Sequence, residues 1–130
     1  MEIRDRNIYF WKNTKQKIKD RKQKDEYRIY QLTERAPSHL RFKSYAQLRS
    51  QEGSVARRNY ELIYAESLLA EMTLEDIFFK FNMDHPDDFK GHSLSVSDVV
   101  VLQRDGYTTA HYVDVIGYQE VPEFLQTEEH

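Results

Sequence analysis

The dipeptide Asp105-Gly106 lies between two apolar-rich stretches, VSDVVVLQ at 96–103 and YTTAHYVDVI at 107–116. Both central residues of a type I′ turn take positive φ, and Asp-Gly tolerates this, so the pair is the strongest short-range hairpin signal a sequence offers. The two stretches are therefore expected to pair antiparallel, the first from near Val96 to about Gln103 and the second from Tyr107 to Ile116. That pair sets the class of sheet the rest of the chain joins. Gly117-Tyr118 marks a bend before another short strand, which Pro122 ends.

Upstream, EYRIYQL at 26–32 alternates with period two and reads as a strand with Tyr27 and Ile29 on its buried face. Leu40 to Phe42 reads as a short strand after the loop around Pro37. SYAQLRS at 44–50 reads as a short helix capped by Ser44 and closed by the Gly53 region, and YELIYA at 60–65 as a further strand. TLEDIFFKFNM at 73–83 carries the clearest helical pattern. Thr73 and Asp76 form a capping-box pair, Met72 and Ile77 stand as a staple, and Leu74, Ile77, Phe78 and Phe81 line one face. The expected fold is α+β: a single, mostly antiparallel curved sheet with two or three helices on one face, plus an N-terminal basic helix.

The expected divisions are a basic helical arm at 1–25, an α+β domain at 26–126 and a disordered tail at 127–130. With 130 residues and 13% aromatics, one modest aromatic-rich core is available. Cysteine is absent, which excludes disulfides, thiolate nucleophiles and thiolate metal sites. No apolar run approaches the roughly 20 residues of a membrane span. MEIRDRNIYFWKN has no apolar signal-peptide core, so a cytoplasmic location is expected.

The net charge of −3 conceals a division. Residues 1–60 carry 16 Lys and Arg against 7 Asp and Glu, whereas residues 61–130 carry 3 against 15. Two arrangements fit: separate surfaces for different partners, or halves that pack together with their charges interleaved. Lys12, Lys15, Lys17, Lys19, Arg21, Lys22 and Lys24 form a basic run that Arg57 and Arg58 would extend. As a site the run would neutralise phosphates without reading bases; otherwise it is a solvated helix face. The aromatics Tyr9, Phe10 and Trp11 beside it fit an anchor better than a base-stacking platform.

Three serines alternate in GHSLSVSDVVVL at 91–102, followed by Asp98. A serine nucleophile would need a histidine base, which His92 or His111 would have to supply, and there is no GxSxG elbow. Short polar side chains that bind nearby backbone and fix the turn into a strand are the simpler reading. Asp84, His85, Asp87, Asp88 and His92 crowd together, yet their spacing matches neither HExxH nor a calcium loop. They read as a turn, and no cofactor or metal is expected. The four isolated glycines make no phosphate-cradling loop, so an enzyme is not expected.

YRIYQL, NYELIYAESL, MTLEDIFFKFNMDHPDDFKGHSLSVSDVVVL and YVDVIGYQEVPEF together resemble the YodL-like domain, over about Tyr27 to Leu125. Such domains occur in bacteria and their mobile elements, often beside anti-restriction modules. The family supplies no catalytic motif to transfer. The resemblance implies a non-enzymatic phage or plasmid protein that inhibits a host defence nuclease, an anti-CRISPR or anti-restriction role, by binding the nuclease or its ribonucleoprotein complex. The alternative is a nucleic-acid-binding accessory domain that uses the lysine-rich arm.

Overall fold

The computed structural model describes residues 24–51 and 53–126. Five strands form one open antiparallel sheet: β1 (Glu26–Leu32), β2 (Tyr60–Ser67), β3 (Val99–Arg104), β4 (Tyr107–Val113) and β5 (Tyr118–Glu120), in the spatial order β2-β1-β3-β4-β5. Two α-helices, α1 (Tyr45–Ser50) and α2 (Leu74–Met83), and three short 3-10 segments complete the domain. The β3–β4 hairpin closes on Arg104 opposite Tyr107, with Asp105 at φ 54° and Gly106 at φ 85°. Positive φ at both positions is the backbone that the Asp-Gly pair foretold. β2 carries a bulge, since Ile29 pairs with Tyr64 and Tyr30 with Leu62, leaving Ile63 unopposed.

The helices do not share one face as expected. Tyr27, Ile29, Val100 and Val113 pack with Leu68, Ile77 and Phe81, which puts α2 on one side. Tyr30, Leu32, Val99, Val101, Ala110 and Tyr112 pack with Leu48, Val55 and Phe124, which puts α1 on the other. The physical cause is the run Val99-Val100-Val101, buried throughout. Successive strand residues point to opposite sides, so a continuous apolar run needs cover on both. β1 likewise buries both faces at its C-terminal half rather than one.

Both α-helices start at capping boxes. Ser44 Oγ accepts the Gln47 N–H at 3.1 Å and Thr73 Oγ1 accepts the Asp76 N–H at 3.1 Å, while Gln47 and Asp76 side chains reach back to the cap N–H groups. Aromatic rings join the α2 core edge to face: Phe81 lies 6.0 Å from Tyr27, 5.3 Å from Tyr64 and 4.8 Å from Phe89.

Four local expectations are corrected. Leu40 to Phe42 is not a strand: Ser38–Leu40 is a 3-10 turn, and Phe42 sits at φ 59°, which breaks extended chain. β3 starts at Val99 rather than Val96, because Ser95 to Asp98 turns. β4 ends at Val113 rather than Ile116, because Asp114 and Gly117 close a turn through Asp114 N–H to the Gly117 carbonyl at 3.0 Å. Lys24, the one described residue of the basic run at 12–24, is neither helix nor strand. Residues 1–23 of the arm and the tail at 127–130 lie outside the described residues.

Candidate functional site

The serine-rich segment builds a buried polar turn. Asp98 Oδ2 accepts the Ser95 N–H at 2.9 Å, and Asp98 N–H donates to the Ser95 carbonyl at 3.0 Å. An aspartate binding its own neighbouring backbone is how such side chains fix turns. Gln31 on β1 holds the turn from the sheet: its Nε2 donates to Asp98 Oδ2 at 3.1 Å and to the His92 carbonyl at 2.9 Å. His92 Nδ1 lies 2.7 Å from the Ser93 carbonyl and 3.2 Å from Gln31 Nε2; protonated, it donates to the carbonyl, and unprotonated, it accepts from the amide.

Ser97 takes φ 86°, left-handed backbone that an ordinary residue holds only under constraint. Its N–H donates to the Val113 carbonyl at 2.9 Å, its carbonyl accepts the Tyr60 hydroxyl at 2.7 Å, and its Oγ accepts the Phe42 N–H at 3.3 Å. Gly91 lets the loop cross β1 closely, because a Cβ there would meet Gln31 Oε1 and Ile63 Cγ2.

Asp98 is 1% exposed. Burial pushes its carboxyl up to about 7, against the Ser95 N–H, His92, Gln31 and Arg41, each of which favours the carboxylate. Ser97 and Asp98 are thus inside the fold, with the hydroxyl and carboxylate engaged by backbone and Gln31. His111 is elsewhere on the sheet, opposite Val100, with Nε2 2.8 Å from Thr109 Oγ1. Burial lowers its basicity, and Glu120 opposes that shift. The arrangement positions a strand; it does not aim a nucleophile at an open cleft.

The Asp84–His92 segment is a turn closed by Phe89 N–H to the Pro86 carbonyl at 3.0 Å, with Phe89 buried against Phe81. Among the described residues no three of His, Asp and Glu converge as a metal site would need. The two arginines singled out with the basic run separate. Arg57 stacks 4.6 Å over the Tyr30 ring and donates to the Tyr60 carbonyl at 2.8 Å, which commits it to the fold. Arg58 is exposed, on the rim of a depression of about 500 Å³ with Thr33, Glu34, Arg35 and Glu61. Lys12, Lys15, Lys17, Lys19, Arg21 and Lys22 lie outside the described residues. Lys24 is exposed, and its carbonyl accepts Gln103 Nε2 at 3.0 Å.

Charge is divided by the sheet. The β1–β2 connection, 33–59, packs on the α1 side; its described residues carry Arg35, Arg41, Lys43, Arg49, Arg57 and Arg58 against Glu34 alone. The β2–β3 connection, 68–98, packs on the α2 side and carries Glu71, Glu75, Asp76, Asp84, Asp87, Asp88 and the buried Asp98 against Lys80 and Lys90. Between described residues the ion pairs are Arg28–Glu26 at 3.4 Å and Lys80–Glu66 at 4.0 Å, and neither joins the two layers. Some second-half carboxylates do reach the α1 side: Glu61 shares the depression with Arg35 and Arg58, and Glu123 Oε2 accepts the Val55 N–H at 3.4 Å. Sequence reasoning missed Gln31 as the organiser of the turn; the available signal was a polar residue in line with Tyr27 and Ile29 on one strand face.

This architecture defines a small α+β domain: an open antiparallel sheet between two helical layers of opposite charge. The chain belongs to the YodL-like domain family, whose model matches residues 26–124. Neither a curated protein nor a solved structure matches it. Among the described residues no helix is long and apolar enough to cross a membrane.

Proposed function

We propose that this chain is a non-enzymatic protein of a bacterial mobile element that inhibits a host defence nuclease, a CRISPR effector or a restriction enzyme, by direct binding. The observation that carries this reading is the acidic α2 layer. Glu71, Glu75, Asp76 and Asp84 are exposed on this layer, as are Phe79 and Met83, one helical turn apart on α2. Nucleases hold nucleic acid in positively charged grooves. A carboxylate-rich face with apolar anchors is complementary to such a groove, since charge steers the encounter and buried apolar residues hold it. The polar groups of the 91–98 segment are spent on the scaffold, which leaves the outer surface to act.

The test is co-purification with the host's restriction enzymes and CRISPR effectors, with cleavage measured in parallel. Binding and loss of cleavage are expected, both abolished by combined Glu71→Lys, Glu75→Lys and Asp84→Lys. Lack of binding at micromolar concentration, or full inhibition by the charge-reversed protein, refutes the reading. The second reading, nucleic-acid binding through Lys12 to Lys24 and exposed Arg58, predicts affinity for DNA or RNA that falls steeply with salt and is lost with residues 1–24.

A further inference from the structure

Three exposed apolar side chains are carried by two adjoining segments at one end of the sheet. Phe42 is 66%, Val115 65% and Ile116 89% exposed. The segments that carry them are fastened side by side. Asp114 Oδ1 accepts both the Tyr45 N–H at 3.0 Å and the Val115 N–H at 2.8 Å, and the Tyr112 hydroxyl donates to the Lys43 carbonyl at 2.7 Å. Phe42 keeps positive φ, uncommon for a bulky residue, with its N–H on Ser97 Oγ. A strained aromatic turned outward beside an aliphatic turn tip is a constrained display. Its charged flanks are Lys43, Arg49 (6.0 Å over the Tyr45 ring) and Arg41, whose guanidinium donates to the Thr33 carbonyl, against the one carboxylate of Asp114.

The opposite layer carries a counterpart. Leu69, Phe79 and Met83 are 64%, 64% and 69% exposed, on a layer where exposed Glu71, Glu75, Asp76 and Asp84 outnumber Lys80, paired with Glu66, and Arg104, bound to the Ala70 and Met72 carbonyls. Tip against tip would face cation with cation, and α2 against α2 would face carboxylate with carboxylate. Only the tip on the α2 face joins apolar contact with opposite charge.

We propose that copies of this chain associate head to tail, the Phe42–Val115–Ile116 tip of one copy seated on the Leu69–Phe79–Met83 face of the next. The contact is heterologous, so an open assembly keeps a free tip at one end and a free α2 face at the other until a ring closes. It occupies the acidic face, so a nuclease on that face displaces the neighbouring copy.

Sedimentation of the full chain alone tests this separately from any nuclease. From about 10 µM to about 1 mM the mass is expected to rise above the 15.6 kDa of one chain, and to fall back as salt rises from about 0.1 M to about 1 M. Ile116→Asp and Phe79→Asp should each remain at 15.6 kDa alone. Mixed in equal amounts they should form a species of twice that mass, because each retains the surface the other lacks. Both positions are exposed, so unchanged melting confirms the fold; Lys43→Glu, expected to weaken association at least about tenfold, serves where melting changes. A monomer throughout, self-association of either aspartate variant, or a mixture that stays monomeric overturns the proposal. So does association lost on removing residues 1–23 but retained in Ile116→Asp, which would make the basic arm the occupant of the acidic face.

Discussion

Replacing Asp98 with asparagine isolates the cost of a buried charge. The carboxyl has an ordinary value of 3.8 and stands at about 7 in the fold, chiefly through burial. Below the unfolded value it is neutral in both states and contributes no pH dependence. Between the two values folding takes up a proton, so stability falls as pH rises. Above about 7 the folded state carries the whole penalty. Each unit is worth about 1.4 kcal/mol, which makes the penalty about 4 kcal/mol. Asparagine Oδ1 can take the place of Asp98 Oδ2 and accept the same two hydrogen bonds, from Ser95 N–H and Gln31 Nε2, without a charge. The assay is urea unfolding of both proteins at several pH values, compared as a difference so that groups common to both cancel. The variant should match the wild type near pH 4 and exceed it by about 4 kcal/mol near pH 8. A difference that does not change with pH, or a variant less stable at pH 8, refutes the assignment of Asp98 as a desolvated charge.

Three further substitutions probe how the turn and core are held. Tyr60→Phe removes the hydroxyl that donates to the Ser97 carbonyl, leaves that buried acceptor unpaired, and should cost about 1–3 kcal/mol in denaturant unfolding. Gly91→Ala drives a methyl group toward Gln31 Oε1 and Ile63 Cγ2, both in the packed layer over β1 and β2, and should cost about 1–3 kcal/mol. Phe81→Ala empties a fully buried site ringed by Tyr27, Tyr64 and Phe89 and should cost about 3–5 kcal/mol, read as a fall in the unfolding midpoint.

What the sequence showed and what it hid divide by range. The Asp105-Gly106 hairpin and the Thr73–Asp76 capping box were legible because each is decided within four residues. Placing the helices on one face failed because the valine triplet, which has apolar residues on both sides of the strand, calls for cover on both. Val115 and Ile116 read as strand because they are apolar, yet Asp114 and Gly117 turn the backbone first and leave both exposed. Gln31 could not be assigned, since its partners His92 and Asp98 are 61 and 67 positions away. The serine-rich turn was legible in kind, as backbone-binding side chains, but not in its burial or its tie to Tyr60.

The charge division was visible along the chain and became spatial only through topology. β1 lies between β2 and β3, and the connection before β2 crosses one face while the connection after it crosses the other. The described basic residues of 33–59 and the acidic residues of 68–98 are thereby sorted onto opposite sides. Stability does not account for this sorting. Like charges within a layer repel, and interleaving the two sets would turn those repulsions into weak attractions. A layer that exposes six carboxylates together with Phe79 and Met83 is therefore better explained by what meets it from outside than by the fold beneath it.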